Sequence, residues 1–281
     1  MKILVIVDIK NWAFDYFAKA LQKWSAHTVY IHYGKINGYN FKHQLYDLIL
    51  WMVDVRPDRL IKCSVPKEKV LIAIRSDVFR CKRAYYYATG IMKKYCRGFL
   101  ACNQMLNERL SKLHRSWLLE GGVDTEIFRP QWKPMGKVVG WSGSLSYFGN
   151  SIKGFDFIKN ACKKAGYIFK PAIREKKWRN QYEMNAYYNS IDIYVDASIT
   201  AGRQNGILEA GACAKPVLAT DTGITGNIIQ HGKNGLVIRR KHIAEMLPKA
   251  TPEIGRKLYD DILRNWTWER HAKNFDKIIA E

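Results

Sequence analysis

The stretch Ile191–Ile238 constrains the possible fold more than any other part of the sequence. Two apolar runs, Ile191–Ala197 and Pro216–Thr220, flank a glycine-bearing loop and a short helical segment that carries one carboxylate, Glu209. This order predicts a strand–loop–helix–strand unit. In an open parallel sheet the loops that follow the strands share one edge. We therefore expect Gly202–Glu209 to line a cleft, with the start of the helix pointing into it.

The same alternation of short apolar runs and helical patterns occurs along the rest of the chain and predicts an α/β protein with parallel sheets. The strands predicted in the first half are Lys2–Val7, Thr28–Tyr33, Leu45–Val53, Lys69–Ile74, Phe99–Cys102 and Trp117–Leu119. The strands predicted in the second half are Lys137–Trp141, Tyr167–Ile173 and the two runs above. A helix is predicted over Ile152–Ala165, and two helices are predicted in the tail, Glu253–Arg264 and Thr267–Ala280.

A domain boundary is predicted near Arg129–Lys137, where two prolines and a glycine separate two periodic segments. The alternation of strands and helices restarts after it. The sequence therefore predicts one domain over residues 1–130 and a second over residues 131–265.

The net charge of +21, from 46 Lys and Arg against 25 Asp and Glu in 281 residues, predicts an anionic partner. Nucleotides, nucleic acid and anionic lipid surfaces all fit such a field, and a purely solubilising surface is the alternative. Seven of the basic residues lie in Arg75–Arg97, around Tyr85–Tyr87. Cations interleaved with aromatic rings suit a phosphate-rich acceptor or surface. A solvated helix with its tyrosines facing the core is the other interpretation.

Several classes of protein are not favoured by the sequence. The six cysteines show no close paired spacing, and the seven histidines show no metal-ligand spacing and no partner in a nucleophile motif. We expect neither metal chemistry nor triad hydrolysis. The apolar run at the N-terminus stops at Asp8, too early for a signal peptide, and no run is long enough to span a bilayer. We expect a cytoplasmic protein, soluble or peripheral to a membrane.

Two loops of the second half have the composition of phosphate-binding loops. The first follows the strand Lys137–Trp141 and runs from Gly143 through Ser144 to Lys153 and Gly154. Backbone N–H groups, a helix N-terminus and an ammonium together suit a diphosphate. The second loop, Ala201–Gly206, contains two glycines that let the backbone approach an anion and Arg203, which can add a bidentate contact. Either loop could also be an ordinary structural turn.

These segments, taken in order, resemble glycosyltransferase family 4, which has the GT-B fold of two facing Rossmann-like domains. The resemblance covers nearly the whole chain. The residues that carry it are Leu118–Pro130 at the domain junction, Val139–Gly143 with Lys153-Gly154, Tyr188–Ser198, Gly202–Ala210 with Lys215–Asp221, His231–Val237, and Trp266–Trp268. The last of these resembles the start of the family's final helix, which implies that residues 266–281 pack back on the N-terminal domain.

The resemblance implies roles for individual residues. Glu209 would bind the donor ribose, Lys153 the diphosphate, and the N–H groups near Asn205, Gly206 and Ile207 the distal phosphate. Gly143, Ser144 and Gly202 would complete the donor site. Arg203 joins Lys153 and Glu209 as a candidate catalytic residue, and the acceptor side would include Asn11, Trp12, Arg75 and Asp77.

The sequence also departs from the family pattern at four places. Ala201 stands where the family usually has a glutamate that contacts the donor sugar. Ser144 replaces an arginine that usually contacts the diphosphate, a role that Arg203 could take over. Asn11-Trp12 replaces a glycine pair, and Arg75 replaces a histidine.

The resulting expectation is a retaining, metal-independent glycosyltransferase without a cofactor. It would move a sugar from a UDP- or GDP-sugar to a glycan, a lipid-linked glycan or another anionic acceptor. One alternative is sugar transfer to hydroxylated bases of phage-type DNA, which would require the base to be flipped out. A second alternative is an inactive GT-B protein that binds a nucleotide or a polyanion, motivated by Ala201 and Ser144.

Overall fold

The computed structural model describes residues 1–7, 9–34, 42–52, 64–75, 90, 92–132, 135–146 and 149–281. Internal contacts divide the chain into two units. The first unit contains Met1–Gly122 and Trp268–Glu281, and the second contains Val123–Thr267. Each unit has its own parallel sheet, with a hydrophobic cluster on each face.

The first unit is built on a parallel sheet in the order β2-β1-β3-β4-β5-β6. Its strands are β1 (Lys2–Val7), β2 (Thr28–Tyr33), β3 (Leu48–Trp51), β4 (Val70–Ile74), β5 (Gly98–Ala101) and β6 (Ser116–Leu118). Every residue of β3, β4 and β5 is buried. Burial on both faces explains why these strands are continuous apolar runs rather than alternating ones.

The predicted strand Leu45–Val53 is longer than the observed β3. Residues His43–Leu45 form a 3₁₀ turn, and the Leu45 side chain is 60 % exposed. Val53 lies outside the described residues. The predicted strand was too long at its start because Leu45 is apolar although it lies in a surface turn.

Among the described residues of the first unit, three helices pack on its sheet, namely α1 (Ala13–Trp24), α2 (Gln104–Ser111) and α10 (Trp268–Ala280). The apolar face of α1, with Phe17 and Leu21, packs in the same cluster as Phe275 of α10. Ser25 Oγ and the Ala26 N–H both donate to the Asp276 carboxylate, at 2.5 and 2.8 Å. The last helix of the chain is thus part of the first unit.

The second unit contains a parallel sheet in the order β11-β10-β9-β7-β8. Its strands are β7 (Val138–Gly143), β8 (Ile168–Ile173), β9 (Ile193–Asp196), β10 (Val217–Thr220) and β11 (Leu236–Ile238). Its helices are α3 (Gly149–Lys153), α4 (Phe155–Ala165), α5 (Gln181–Asn189), α6 (Asn205–Ala212), α7 (Thr225–Ile228), α8 (Ile243–Met246) and α9 (Pro252–Asn265). The expected α/β fold with two parallel sheets is confirmed.

The units divide after Gly122 and after Thr267, rather than at the predicted boundaries of 130 and 265. Val123 pairs with Thr267, and the Val123 N–H donates to the Trp266 carbonyl at 2.8 Å. Phe128 is buried in the second unit's core. The chain therefore enters the second unit at Val123, before the proline-containing stretch at which the sequence predicts the boundary. The residues between these two points include Val123 and Phe128, which are part of the second unit's core.

Gly255 permits α9 to pack closely against the segment between α6 and β10. A Cβ atom at this position would lie 2.5 Å from the Ala214 carbonyl oxygen and 2.8 Å from the Pro216 nitrogen. Both are backbone atoms, which cannot move aside as a flexible side chain could. We predict that Gly255→Ala lowers the free energy of unfolding by about 1–3 kcal/mol, measured by urea denaturation.

Gly226→Ala is the matched control for this prediction. Gly226 is an exposed residue of α7, where the nearest atom to an added Cβ is a side-chain carboxylate oxygen of Asp221 at 3.2 Å. This change should be neutral or stabilising, because alanine is the better helix former by up to about 1 kcal/mol. Equal stability of Gly255→Ala and the wild type would contradict the packing described above.

Candidate functional site

The order of the strands locates the candidate site in the second unit. In the sheet β11-β10-β9-β7-β8 the chain proceeds from β7 to β8 on one side and from β9 to β10 on the other. The reversal leaves a crevice outside the carboxyl ends of β7 and β9, where open α/β sheets bind their ligands. The loops that leave these two strands are the ones that the sequence predicts to bind phosphate.

The first loop is occupied by a carboxylate of the chain itself. Four donors of residues 144–146 contact Glu175, namely the hydroxyl groups of Ser144 and Ser146 and the N–H groups of Leu145 and Ser146. The backbone donors lie 3.2 and 3.3 Å from the carboxylate oxygens. The Ser144 and Ser146 hydroxyls hold the pKa of Glu175 well below its ordinary value. The donors of this loop, which the sequence predicts to bind phosphate, thus contact the carboxylate of Glu175.

Sequence reasoning did not find Glu175, because it lies 31 residues after Ser144. It is an exposed residue at the start of the loop that follows β8, the neighbour of β7. Four of the seven residues in that loop, Arg174–Asn180, are Lys or Arg, and Glu175 is its one carboxylate.

The second loop enters α6 with its polar side chains already hydrogen-bonded. Arg203 donates through Nη1 to Asn205 Oδ1 at 2.6 Å. Gln204 is buried, and its amide group contacts the turn after β10 through Thr222 and Thr225 at 3.2 Å each. Its Oε1 atom accepts from the Ile224 N–H at 3.0 Å. The loop is thus held from the side of β10.

The first turn of α6 lies directly against β9. A Cβ atom on Gly206 would overlap the hydroxyl group of Tyr194, so only glycine allows this approach. Ile207, the next residue, is fully buried in the core beneath the helix. The close approach brings the carboxylate of Glu209, in the following turn, within reach of residues from neighbouring elements.

Glu209 belongs to a partly buried polar network. The Tyr188 hydroxyl donates to Glu209 Oε2 at 2.8 Å. Ser142 Oγ at the end of β7 lies 3.2 Å from the Tyr188 hydroxyl and 3.0 Å from the Tyr194 hydroxyl. Burial raises the pKa of Glu209 above its ordinary value. The hydrogen bond from Tyr188 and the positive charge of Arg203 act in the opposite direction but do not cancel this rise. A carboxylate that is short of donors is suited to accept hydroxyl groups of a ligand.

Lys153 is the last residue of α3, rather than lying just inside a longer helix. The predicted helix Ile152–Ala165 is broken at Gly154, which has a left-handed φ of 69°. A Cβ at Gly154 would lie 2.5 Å from the Ala197 carbonyl oxygen. The junction of α3 and α4 therefore packs against the end of β9, and the Ile199 N–H donates to the Ile152 carbonyl at 2.9 Å.

The residues predicted to donate to a diphosphate thus surround the ends of β7 and β9. Gly143 is the last residue of β7 and Ser144 follows it, Gly202 and Arg203 follow β9, and Lys153 is held next to β9 through Gly154. Ala201, where the family usually has a glutamate, is buried. Ser142, Tyr188 and Tyr194 were missed, because nothing in their spacing shows that their hydroxyl groups converge.

In the first unit, Asn11 and Trp12 follow β1 at the switch point between β1 and β3. Asn11 has a φ of 61°, and its N–H donates to Asp15 Oδ2 at 2.6 Å. The Trp12 side chain is 39 % exposed. Both residues therefore lie where a ligand of the first sheet would be bound.

Asp15 was not predicted as a site residue, but it organises this turn. Its fully buried carboxylate also accepts from Tyr33 Oη at 2.7 Å and pairs with Lys19 Nζ at 2.8 Å. Burial acts to raise the pKa of Asp15, but the donors outweigh it and hold the pKa below its ordinary value. Burial and the neighbouring carboxylate raise the pKa of Tyr33 to about 12.

Arg75 does not lie open to a ligand as the predicted acceptor side requires. Its side chain is buried, donates through Nη1 to the Leu119 carbonyl at 2.8 Å and stacks 4.6 Å from the ring centre of Phe17. These contacts give it a structural role within the first unit. Asp77 and most of the stretch Arg75–Arg97 lie outside the described residues.

Within the described residues, no cluster of three or more histidine, cysteine or acidic side chains is arranged to hold a metal ion. Among the described helices, none combines the length and the apolar character needed to cross a bilayer.

Comparison with known proteins identifies the class of this fold. Residues 160–252 match the family model described as glycosyl transferases group 1. No curated protein sequence matches the chain significantly. HepE of Anabaena, solved with UDP and glucose, is 14 % identical with a TM-score of 0.72 and covers 100 % of this chain and 99 % of its own.

Two further solved structures have the same architecture. Sucrose-phosphate synthase of Thermosynechococcus elongatus is 11 % identical with a TM-score of 0.76 and covers 100 % of this chain and 98 % of its own. The lipopolysaccharide outer core galactosyltransferase WaaB is 12 % identical with a TM-score of 0.64, over 100 % and 99 % of the two chains. The chain has the GT-B fold of glycosyltransferases, and the resemblance found in the sequence is confirmed.

The raised pKa of Glu209 predicts a pH-dependent stability. Because the native state holds this proton more tightly than the unfolded state, stability falls as pH rises above the ordinary value of 4.5 and stays reduced above the native pKa. Glu209→Gln keeps an acceptor for Tyr188 without the charge. We predict that this variant is more stable than the wild type at about pH 8 and nearly equal to it at about pH 4, measured by urea denaturation.

Glu245→Gln is the control, because hydrogen bonding to His242 holds the pKa of the exposed Glu245 below its ordinary value. That variant should gain no stability at the higher pH. A Glu209→Gln variant less stable than the wild type at about pH 8 would show that the ionised carboxylate stabilises the fold.

Proposed function

We propose that this protein is a retaining glycosyltransferase that moves a sugar from a nucleoside-diphosphate sugar to an acceptor hydroxyl. The observation that carries the proposal is the partly buried Glu209 carboxylate, held by Tyr188 beside two anion-suited loops at the switch point of the second sheet. The HepE structures with UDP and with UDP-glucose support a uridine nucleotide as the donor.

In this proposal, Glu209 accepts hydroxyl groups of the donor ribose. A ribose hydroxyl adds a donor to a carboxylate that has one side-chain donor, Tyr188, among the described hydrogen bonds. Each hydrogen bond to a charged acceptor contributes about 1.5–3 kcal/mol. Glu209 is thus a binding residue rather than a general base.

The departing diphosphate is stabilised by fixed positive charge in this proposal. Lys153 supplies an ammonium, and the first turn of α6, with Asn205, Gly206 and Ile207, supplies backbone N–H groups. Such preorganised donors stabilise charge that develops on the leaving group without a divalent ion. Arg203 neutralises a further phosphate oxygen after exchanging its contact with Asn205.

The acceptor is proposed to bind to the first unit, near Asn11 and Trp12. The charge of +21 favours an anionic acceptor or surface. A glycan or lipid-linked glycan at a membrane face is our first candidate, and a hydroxylated DNA base is the alternative. Flotation with anionic vesicles and binding to duplex DNA, each measured over a salt series, distinguish the two candidates. A protein that binds neither vesicles nor DNA would contradict an anionic acceptor or surface.

A protein that binds nucleotides without transferring a sugar is the competing proposal. It is favoured by Ala201, which offers no polar side chain to the donor sugar, and by Glu175, which occupies the first loop. Release of nucleoside diphosphate from a panel of UDP- and GDP-sugars separates the two. Sustained turnover supports transfer, whereas tight binding without any release supports the competing proposal.

We predict that Lys153→Ala lowers the turnover number with the preferred donor by about 100-fold or more, because it removes the cation at the leaving group. Lys159→Ala, an exposed lysine of α4, is the control and should retain full activity. The measurement is the release of nucleoside diphosphate at saturating donor. Full activity of Lys153→Ala, or an absolute requirement for magnesium, would contradict this mechanism.

Removal of the Glu175 charge is predicted to improve ligand binding rather than to impair it. A diphosphate that enters the loop Ser144–Ser146 must displace this carboxylate, so Glu175→Gln should strengthen the binding of UDP several-fold. Isothermal calorimetry measures the change, and Glu183→Gln, a partly exposed glutamate of the neighbouring helix α5, is the control. Unchanged or weaker UDP binding by Glu175→Gln would show that the diphosphate does not use this loop.

A further inference from the structure

One arginine connects the segments that carry the candidate diphosphate ligands. Arg240 lies two residues after the end of β11 and begins a 3₁₀ turn, Arg240–His242. Its guanidinium donates through Nε to the Ala197 carbonyl at 2.7 Å and through Nη1 to the Ser151 carbonyl at 2.6 Å. Its Nη2 atom donates to the Ile152 carbonyl. Ala197 follows β9 directly, while the other two acceptors lie in the last turn of α3.

These contacts satisfy a local electrostatic requirement. The last carbonyl groups of a helix lack intrahelical partners and carry partial negative charge, so a cation is favourable there. Helix α3 has only five residues and ends at the left-handed Gly154. Burial lowers the pKa of Arg240, and Asp196 opposes this effect. The side chain is partly buried, with the exposed ring of Phe157 5.0 Å away.

The three contacts require an arginine. A guanidinium presents several N–H groups in a fixed planar fork, whereas the ammonium of a lysine is a single centre. In Arg240 three different nitrogen atoms of the fork each donate to one carbonyl group, a spread of donors that a single ammonium nitrogen does not have. The contacts lie 88 and 43 residues away in sequence, so this link is formed entirely by the tertiary structure.

We propose that Arg240 is a positioning residue for the diphosphate site, which acts through Lys153. By binding the carbonyl groups of Ser151 and Ile152, it fixes the end of α3 against the end of β9. It thereby holds the Lys153 ammonium at a defined place relative to the loop Gly202–Ile207. The inference rests on the proposed function, since it assumes that Lys153 contacts a nucleoside diphosphate, but Arg240 itself touches no ligand.

The test compares ligands that differ only in their phosphate groups. Calorimetry measures the binding of UDP, UMP and uridine, and of the guanosine series, to the wild type, Arg240→Gln and Arg240→Lys. Loss of one well-placed charged contact should weaken nucleoside-diphosphate binding about tenfold or more. Binding of the nucleoside should change less than about threefold. Both variants should behave alike, because the fork rather than the charge is required.

Two further variants separate positioning from a general effect on charge or folding. Arg239→Gln removes the same charge from the adjacent, exposed arginine and should leave the binding of UDP unchanged. In a double-mutant cycle, Arg240→Gln should add little once Lys153 is already alanine, because coupled residues are not additive. Hydrogen exchange should rise in residues 149–156 and 197–203 of Arg240→Gln, with the rest of the fold protected.

The outcomes distinguish this inference from the proposed function. Equal weakening of diphosphate and nucleoside binding by Arg240→Gln, full additivity with Lys153→Ala, or unchanged exchange in residues 149–156 each overturn the positioning role while the wild type still binds nucleotide. Failure of the wild type to bind any nucleoside diphosphate overturns the proposed function and this role together.

Discussion

The candidate site depends on the approach of α6 to β9. Gly206 leaves room for the hydroxyl group of Tyr194, and this contact sets the height of the helix above the sheet. The same approach brings Glu209 to the Tyr188 hydroxyl, which in turn contacts Ser142 at the end of β7. A side chain at position 206 would lift the helix and separate Glu209 from its donor. The strand, the helix and the carboxylate are therefore one arrangement rather than three independent features.

This arrangement places one charge, that of Glu209, where it is costly. Burial raises the pKa of Glu209, so the ionised carboxylate reduces the stability of the fold at neutral pH. The loop after β7 is organised around an anionic group, the carboxylate of Glu175. Both features are expected of a site that is built for a ligand with hydroxyl groups and negative charge. The net charge of +21 suits the same kind of ligand.

Much of the fold could be predicted because buried parallel strands are continuous apolar runs. Lys2–Val7 and Thr28–Tyr33 were predicted with the bounds that the structure has. Apolar periodicity did not predict the break between α3 and α4, because the apolar pattern continues through Gly154, whose left-handed backbone separates the two helices. The contacts of Glu175 and Arg240 could not be predicted, because they join residues 31 and up to 89 positions apart that no local pattern relates. The burial of Arg75 could not be predicted for the same reason, because its hydrogen-bond partner Leu119 lies 44 residues away.

The central claim is that Glu209 and the start of α6 bind the ribose and diphosphate of a nucleotide. A crystal structure of the protein with UDP tests this most directly. The account predicts a ribose hydroxyl oxygen within about 2.6–3.2 Å of a Glu209 carboxylate oxygen, with the diphosphate over Gly202–Ile207. A nucleotide bound elsewhere, or one at this crevice whose ribose makes no contact with Glu209, would contradict it.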